Sequence, residues 1–187
     1  EGKMTVKEAI SNRRAYRSLN PVPITQELIF ELASAVQLAP SCFNNQPWRL
    51  VFVYDPEVLD KLKKTLSRGN EWAYDASMII AVFSKKELDC VINEREYYLF
   101  GCGMAAGFLI LRATELGLVA HPIAGYNHKL VKEVLGIPGD FTVITLIIIG
   151  KHASEIKPVL TEKQREQELN RPERLPFEKF VYLNRVY

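Results

Sequence analysis

With three cysteines, three histidines and no CxxC spacing, this 187-residue chain is poorly supplied with metal ligands. Cys42, Cys90 and Cys102 are odd in number and far apart. They argue against a disulfide framework or a cysteine-based zinc site, and they fit a reducing, cytoplasmic compartment. His121, His128 and His152 are too scattered to suggest a catalytic triad, and all three read as structural or surface residues. Neither charge dominates: 24 Lys and Arg against 22 Asp and Glu leave a net +2. That is too small to imply a nucleic-acid partner, and none is expected, although a local arginine cluster can still hold a small anion. The longest nearly apolar run, residues 99–111, falls short of the roughly 20 residues a membrane span needs. It predicts a buried helix and no membrane partner. No secretory leader is visible in the charged, polar first residues, and no repeat or low-complexity segment occurs. Hydrophobic content of 48% with 25% charged residues is ordinary for a soluble protein, and residues 1–187 form one expected domain.

What the chain does have is a dense polar knot in residues 38–54, LAPSCFNNQPWRLVFVY. Pro40, Ser41, Asn44, Asn45, Gln46 and Pro47 crowd together before Trp48, which is more than a chain reversal requires. Three consecutive side-chain amides offer donors and acceptors at once, which suits a flat heterocycle with alternating carbonyls and ring nitrogens. A loop rich in its own hydrogen bonds is the plainer alternative. A second cluster is Arg13, Arg14 and Arg17, flanking Ala15 and Tyr16. Three guanidiniums in five residues repel one another unless an anion sits among them, and each presents a fork of donors matched to phosphate. A solvated basic patch is the alternative there.

The remaining pattern predicts alternating helices and strands. A short helix spans about residues 5–12, with Val6, Ala9 and Ile10 on one side. Thr25 caps a helix running to about residue 38, which Pro40 stops. Residues 50–54 read as a buried strand, and Asp55-Pro56 opens a helix facing Val58, Leu59, Leu62 and Leu66 inward. Residues 78–83 form a second buried strand, and a long helix beginning at Asp89 or Asn93 runs to Leu116 and closes at Gly117. Inside it, residues 101–106 spell GCGMAA, a paper match to a dinucleotide fingerprint. No strand precedes those glycines, so the fingerprint is rejected; small residues within a helix point to close packing against another element or subunit. A short strand at 118–120, a loop at 121–126 and a helix capped by Asn127 and ended by Gly136 follow. Residues 141–149, β-branched and almost wholly apolar, predict a central strand. The tail after Lys151 is charged but carries Phe177, Phe180, Val181, Tyr182 and Tyr187, so it is expected to pack on a second subunit.

Four separated pieces, in order, resemble the FMN-dependent nitroreductase family. They are RRAYR at 13–17, PSCFNNQPW at 40–48, PIAGYN at 122–127 and RLP at 174–176. The resemblance spans nearly the whole chain and implies an α+β fold: a mixed, largely antiparallel sheet flanked by helices. It further implies an intimate homodimer with the long helix at the interface, the C-terminal tail extended onto the partner, and two FMN molecules between the subunits. Cofactor-binding residues are then Arg13, Arg14, Ala15, Arg17 and Arg174 toward the phosphate and the polar edge of the flavin. Pro40, Ser41, Cys42 and Asn44 approach from the other subunit, Asn70 lies near the pyrimidine ring, and Pro122, Ile123, Ala124 and Gly125 lie near flavin N5 and O4. Two positions depart from the pattern: Ala15 replaces a usual serine, and Ala124 stands where some relatives carry an acid. The chain is also short before and after the long helix, where relatives carry helices over the substrate site.

The resemblance implies an enzyme, an NAD(P)H-dependent FMN oxidoreductase. It would pass hydride from NADH or NADPH through flavin N5 to a small acceptor such as a nitroaromatic or quinone. The flavin carries that chemistry, so no catalytic side chain is expected. A non-catalytic FMN-binding protein for storage or sensing, and a flavin-dependent dehalogenase-like relative, are the alternatives.

Overall fold

Successive side chains of the two central strands point to opposite faces of the sheet, and that period of two organises the molecule. The computed structural model describes residues 4–186; Tyr187 lies outside them. The elements are α1 (Val6–Asn12), β1 (Leu19–Asn20), α2 (Gln26–Gln37), β2 (Arg49–Val53), α3 (Pro56–Lys63) and β3 (Met78–Ser84). A small hairpin of β4 (Val91–Ile92) and β5 (Arg95–Glu96) follows, then α4 (Tyr97–Glu115), β6 (Val119–Ile123), α5 (His128–Leu135), β7 (Thr142–His152) and α6 (Glu162–Leu169). Every described strand pairing is antiparallel. The strand β7 is the spine: β3 pairs along it from Thr142 to Ile149, β6 from Leu146 to Gly150, and β1 at Lys151 and His152.

Two apolar layers cover the two faces of this sheet. Ile79, Ala81, Leu146 and Ile148 point into one, where α3 contributes Leu59 and Leu62 and α5 contributes Val131. Met78, Ile80, Val82, Ile147 and Ile149 point into the other, against Leu32 and Val36 of α2 and Cys102, Ala105, Leu109 and Ala113 of α4. A strand buried on both faces reads as a continuous apolar run, which is why β3 and β7 stand out in the sequence. This is the expected α+β architecture.

Most caps act as anticipated. Thr25 accepts from Leu28 N, Asp55 from Glu57 N and Val58 N, and Asn127 from Lys129 N and Leu130 N. Gly136 takes the left-handed φ of 65° that closes α5.

Four local expectations need correction. The helix α4 begins at Tyr97, not at Asp89 or Asn93, because Asn93 and Glu94 both take positive φ and form the turn of the β4–β5 hairpin. Residues 121–123 belong to β6 and not to a loop; Pro122 is tolerated there because β6 pairs only with β7 and has a free edge. On α1 only Ala9 is buried, and Val6 and Ile10 are exposed. The charged tail contains α6, whose N-terminus carries a capping box of Thr161 and Gln164.

The helix α4 is long and apolar enough to cross a membrane by length and composition alone. Its inner face nonetheless packs in the α2 layer, as a core helix does. Its outer face exposes Leu99, Phe100 and Phe108. Adding a Cβ at Gly103 or Gly107 would meet nothing within 4 Å, whereas at Gly101 it would press on Pro47 at 3.2 Å. Of these glycines, only Gly101 is in close packing within the described residues.

Candidate functional site

Thr5 caps α1 with a capping box, and the helix ends at Arg13, where the backbone turns extended. The segment that follows is tied down by a buried carboxylate from the far end of the chain. Glu168 of α6 accepts from Arg17 N at 3.0 and 3.3 Å and from Ser18 N at 2.8 Å. Two arginines brace the joint. Arg14 donates to the carbonyls of Gln167 (2.8 Å) and Glu168 (3.2 Å), and Arg171 donates back to those of Ser11 (2.6 Å) and Arg13 (3.1 Å). The result is a small cavity of about 130 Å³ lined by Arg13, Arg14, Ala15, Arg17, Arg171 and Arg174, among others.

Arg14 and Arg171 thus each commit Nη2 to this joint. The guanidiniums of Arg13, Arg17 and Arg174 make no hydrogen bond to any described residue. Burial lowers the pKa of Arg13, and repulsion from Arg174 and Arg171 lowers it further. Burial also lowers that of Arg17, partly opposed by Glu168. Three crowded cations with spare donors, Arg13 and Arg17 partly desolvated and Arg174 exposed at the rim, form a site that an anion would stabilise.

On the same side of the sheet, Arg17 lies over the Trp72 ring at 5.9 Å, and Trp72 stacks on His121 at 4.5 Å. His121 Nδ1 lies 3.0 Å from the carbonyl oxygen of Tyr16, and burial pushes its pKa down to about 4. It is structural, as expected. From His121 the strand β6 leads through Pro122, Ile123 and Ala124 to Gly125, whose carbonyl accepts from Asn70 Nδ2 (3.0 Å) and Ser67 N (2.9 Å). A Cβ on Gly125 would sit 2.4 Å from Asn70 Nδ2, so a larger residue there would push the Asn70 amide off the Gly125 carbonyl. Gln164 of α6 donates to the carbonyl of Gly69 at 2.8 Å, which ties this turn to the helix that holds the arginines.

The polar knot lies elsewhere. Trp48 anchors it in the α2–α4 layer, and Ser84 Oγ donates to the Pro47 carbonyl at 2.7 Å. Ser41 Oγ accepts from Gln46 N at 2.9 Å, and Phe43, Asn44 and Gln46 all have positive φ. The amides expected to face a heterocycle are partly used within the loop, though the Asn44 side chain is exposed and makes no hydrogen bond to a described residue. Cys42 forms a disulfide with Cys90. This corrects the reading of the cysteines: they lie 48 residues apart in sequence, with Cα atoms 6.1 Å apart, and no spacing rule reveals such a pair.

Of the residues singled out from sequence, Arg13, Arg14, Ala15, Arg17 and Arg174 share one cavity, and Asn70 meets Gly125. Pro122, Ile123 and Ala124 lead into that contact. Pro40, Ser41, Cys42 and Asn44 do not line the arginine cavity, and their Trp48 anchor packs on the opposite face of the sheet from Tyr16 and Trp72. Glu168, Arg171 and the Trp72–His121 stack were not anticipated. The run Thr161-Glu162-Lys163-Gln164 was the available signal for α6, but a lone buried glutamate on a charged helix carries none.

The Nitroreductase family model matches residues 10–70 and 64–151 of the chain. The chain belongs to the nitroreductase family. The matched stretches take in the arginine segment, the knot, Asn70 and Gly125; Arg174 lies beyond them. The NAD(P)H nitroreductase MhqN of Bacillus subtilis is 28% identical over 177 residues, covering 76% of this chain and 86% of its own. An FMN reductase [NAD(P)H] of the same organism is 28% identical over 190 residues, covering 90% and 76%. Among solved structures, an oxidoreductase containing FMN superposes with a TM-score of 0.83 at 27% identity, over 100% of this nitroreductase and 96% of that chain.

Proposed function

We propose that this nitroreductase binds FMN and works as an NAD(P)H-dependent oxidoreductase on a small acceptor such as a nitroaromatic or quinone, as a homodimer. The observation that carries the reading is the set of three guanidiniums, Arg13, Arg17 and Arg174, that make no hydrogen bond to a described residue around one recess. The residues fit the cofactor. A cavity of about 130 Å³ admits an anionic group such as a phosphate. It is well below the roughly 300–1,000 Å³ that encloses a whole drug-sized ligand. One chain therefore supplies an anion grip and leaves the rest of the flavin to other surfaces.

Arg13 and Arg174 hold the phosphate, with Ala15 lining the recess between them. Arg17, stacked over Trp72, supplies positive charge toward the ring system, where it favours the anionic form of the reduced cofactor. Asn70 and the main chain of Ala124 and Gly125 orient the polar edge. Pro40, Ser41, Cys42 and Asn44 act on the flavin held by the other subunit, in keeping with their place on the opposite face of the sheet. FMN, when bound, supplies hydride transfer between the nicotinamide and the acceptor, and the protein supplies position and electrostatics. The exposed apolar face of α4 and the exposed apolar tail residues Leu175, Phe177, Phe180 and Leu183 support a second copy as their partner. Only a single 3-10 turn at Lys86–Leu88 and the short β4–β5 hairpin precede α4, and only residues 116–118 follow it, so this chain places little cover over the acceptor side.

The test is anaerobic mixing of the purified, flavin-loaded protein with NADH and with NADPH. Rapid bleaching of the flavin band, followed by reoxidation with a nitroaromatic or quinone, is the expected result. Bound flavin that stays oxidised with both nucleotides overturns the enzyme and favours storage or sensing. Halide release from halogenated aromatics would point to the dehalogenase-like relative.

A further inference from the structure

We infer that the Cys42–Cys90 disulfide is a reversible redox modification site, taken by a dithiol reductant, that sets whether the polar knot keeps its binding shape; the consequence for flavin rests on the FMN reading above. The bond joins the knot to the segment just before the β4–β5 hairpin. Both sulfurs are half-buried, with exposed neighbours Phe43, Asn44, Val91 and Ile92 around them, so a small or protein-borne dithiol has access.

The knot needs a restraint. Phe43, Asn44 and Gln46 hold φ of 46°, 58° and 50°, a region that side chains with a Cβ adopt only when their surroundings over-determine it. Within the loop the restraints are Asn44 N to the Ser41 carbonyl, Asn45 N to the Cys42 carbonyl and Gln46 N to Ser41 Oγ. Across to the other segment they are the disulfide and Asn45 Nδ2, which donates to Asp89 Oδ1 at 3.2 Å and lies 3.5 Å from Cys90 Sγ. Cys42 carries both the covalent link and one end of the turn.

A second observation singles out this place. Asp89 Oδ2 is buried and has no hydrogen-bond partner, and an Asp89 carboxylate oxygen lies within 4.8 Å of both sulfurs. A buried carboxylate oxygen without a donor is costly. The oxidised pair has no proton to give this carboxylate, whereas a reduced Cys42 or Cys90 thiol is a donor within reach of one of its oxygens. Reduction thus adds two S–H donors beside a carboxylate that has an unused oxygen.

The chemistry is thiol–disulfide exchange. One thiolate of the dithiol attacks a sulfur of the pair, the Cys42–Cys90 bond breaks, and a mixed disulfide forms. The second thiol of the reductant then displaces the remaining cysteine, so the reductant leaves as its disulfide and Cys42 and Cys90 each carry one proton. Oxidised dithiol reverses every step.

The experiment poises the protein in mixtures of reduced and oxidised dithiothreitol. It counts alkylated thiols by mass, follows hydrogen exchange of the knot amides, and measures FMN affinity. Expected are one alkylated cysteine (Cys102) in the oxidised denatured protein and three after reduction, reversibly. Exchange at Asn44, Asn45 and Gln46 should quicken at least tenfold on reduction while β3 and β7 amides stay unchanged, and FMN should bind several-fold more weakly. A Cys42→Ser/Cys90→Ser variant should exchange like the reduced protein and ignore dithiothreitol. Knot exchange that is the same in both states, or exchange that rises throughout the sheet, overturns the inference. Faster knot exchange in a protein that binds no FMN in either state upholds the redox-controlled loop and removes the flavin reading instead.

Discussion

At the scale of single residues, His121 shows how packing and pH are tied together. Its ring is sandwiched beside Trp72 in the core, and burial holds its folded pKa near 4 against 6.5 for the free side chain. Below pH 6.5 the unfolded chain takes up a proton that the folded chain refuses until about pH 4. The stability this site contributes is therefore complete above that window and is lost progressively as pH falls through it, by about 3 kcal/mol in all. Urea midpoints measured from pH 7 to pH 4 should fall along this course, and His121→Gln should flatten the slope between those limits. An unchanged slope in the variant would remove His121 as its source. The same scale shows what a reader of sequence can see. Arg13, Arg14 and Arg17 declare themselves by crowding, because like charges in close succession ask for an anion. Their division of labour does not: Arg14 binds carbonyls of α6, and only the fold reveals that the Arg13 and Arg17 guanidiniums make no hydrogen bond to a described residue.

At the scale of elements, α6 decides where the arginines stand. The helix is strongly polar and buries only Glu168, yet that one carboxylate gathers the backbone of Arg17 and Ser18 from some 150 residues away. Replacing it by glutamine keeps the volume but sets an N–H donor against Arg17 N in place of the oxygen that accepts from it at 3.0 Å, at a cost of roughly 1–3 kcal/mol. Glu168→Gln should lower the melting temperature and weaken flavin binding, whereas Glu162→Gln at the exposed start of the same helix should do neither. Equal effects from the two variants would deny Glu168 this role. The central elements were legible because periodicity and capping are local: Thr25, Asp55, Asn127 and Gly136 mark helix ends as their chemistry dictates. The start of α4, the disulfide and the role of α6 were not, since each depends on contacts between segments distant in sequence.

At the scale of the whole molecule, a sheet with two covered faces separates the two halves of the proposed site. The arginines, Asn70 and Gly125 lie with the layer holding Trp72, and the knot lies with the layer holding α2 and α4. The outer face of α4, with Leu99, Phe100 and Phe108 exposed, is the surface across which a second copy would bring the halves together. Light scattering should give twice the 21.3 kDa chain mass. Phe108→Glu should shift the protein toward monomer and reduce its flavin content in the same step. A monomer that keeps its flavin would contradict the shared site.

The measurement closest to the central claim is the flavin content of the purified protein, read from its visible spectrum, compared with that of the Arg13→Ala/Arg17→Ala variant. The account predicts a yellow protein with about one FMN per chain and a variant that folds but is nearly colourless after purification. A colourless wild-type protein that does not take up added FMN, or a variant with full occupancy, would contradict it.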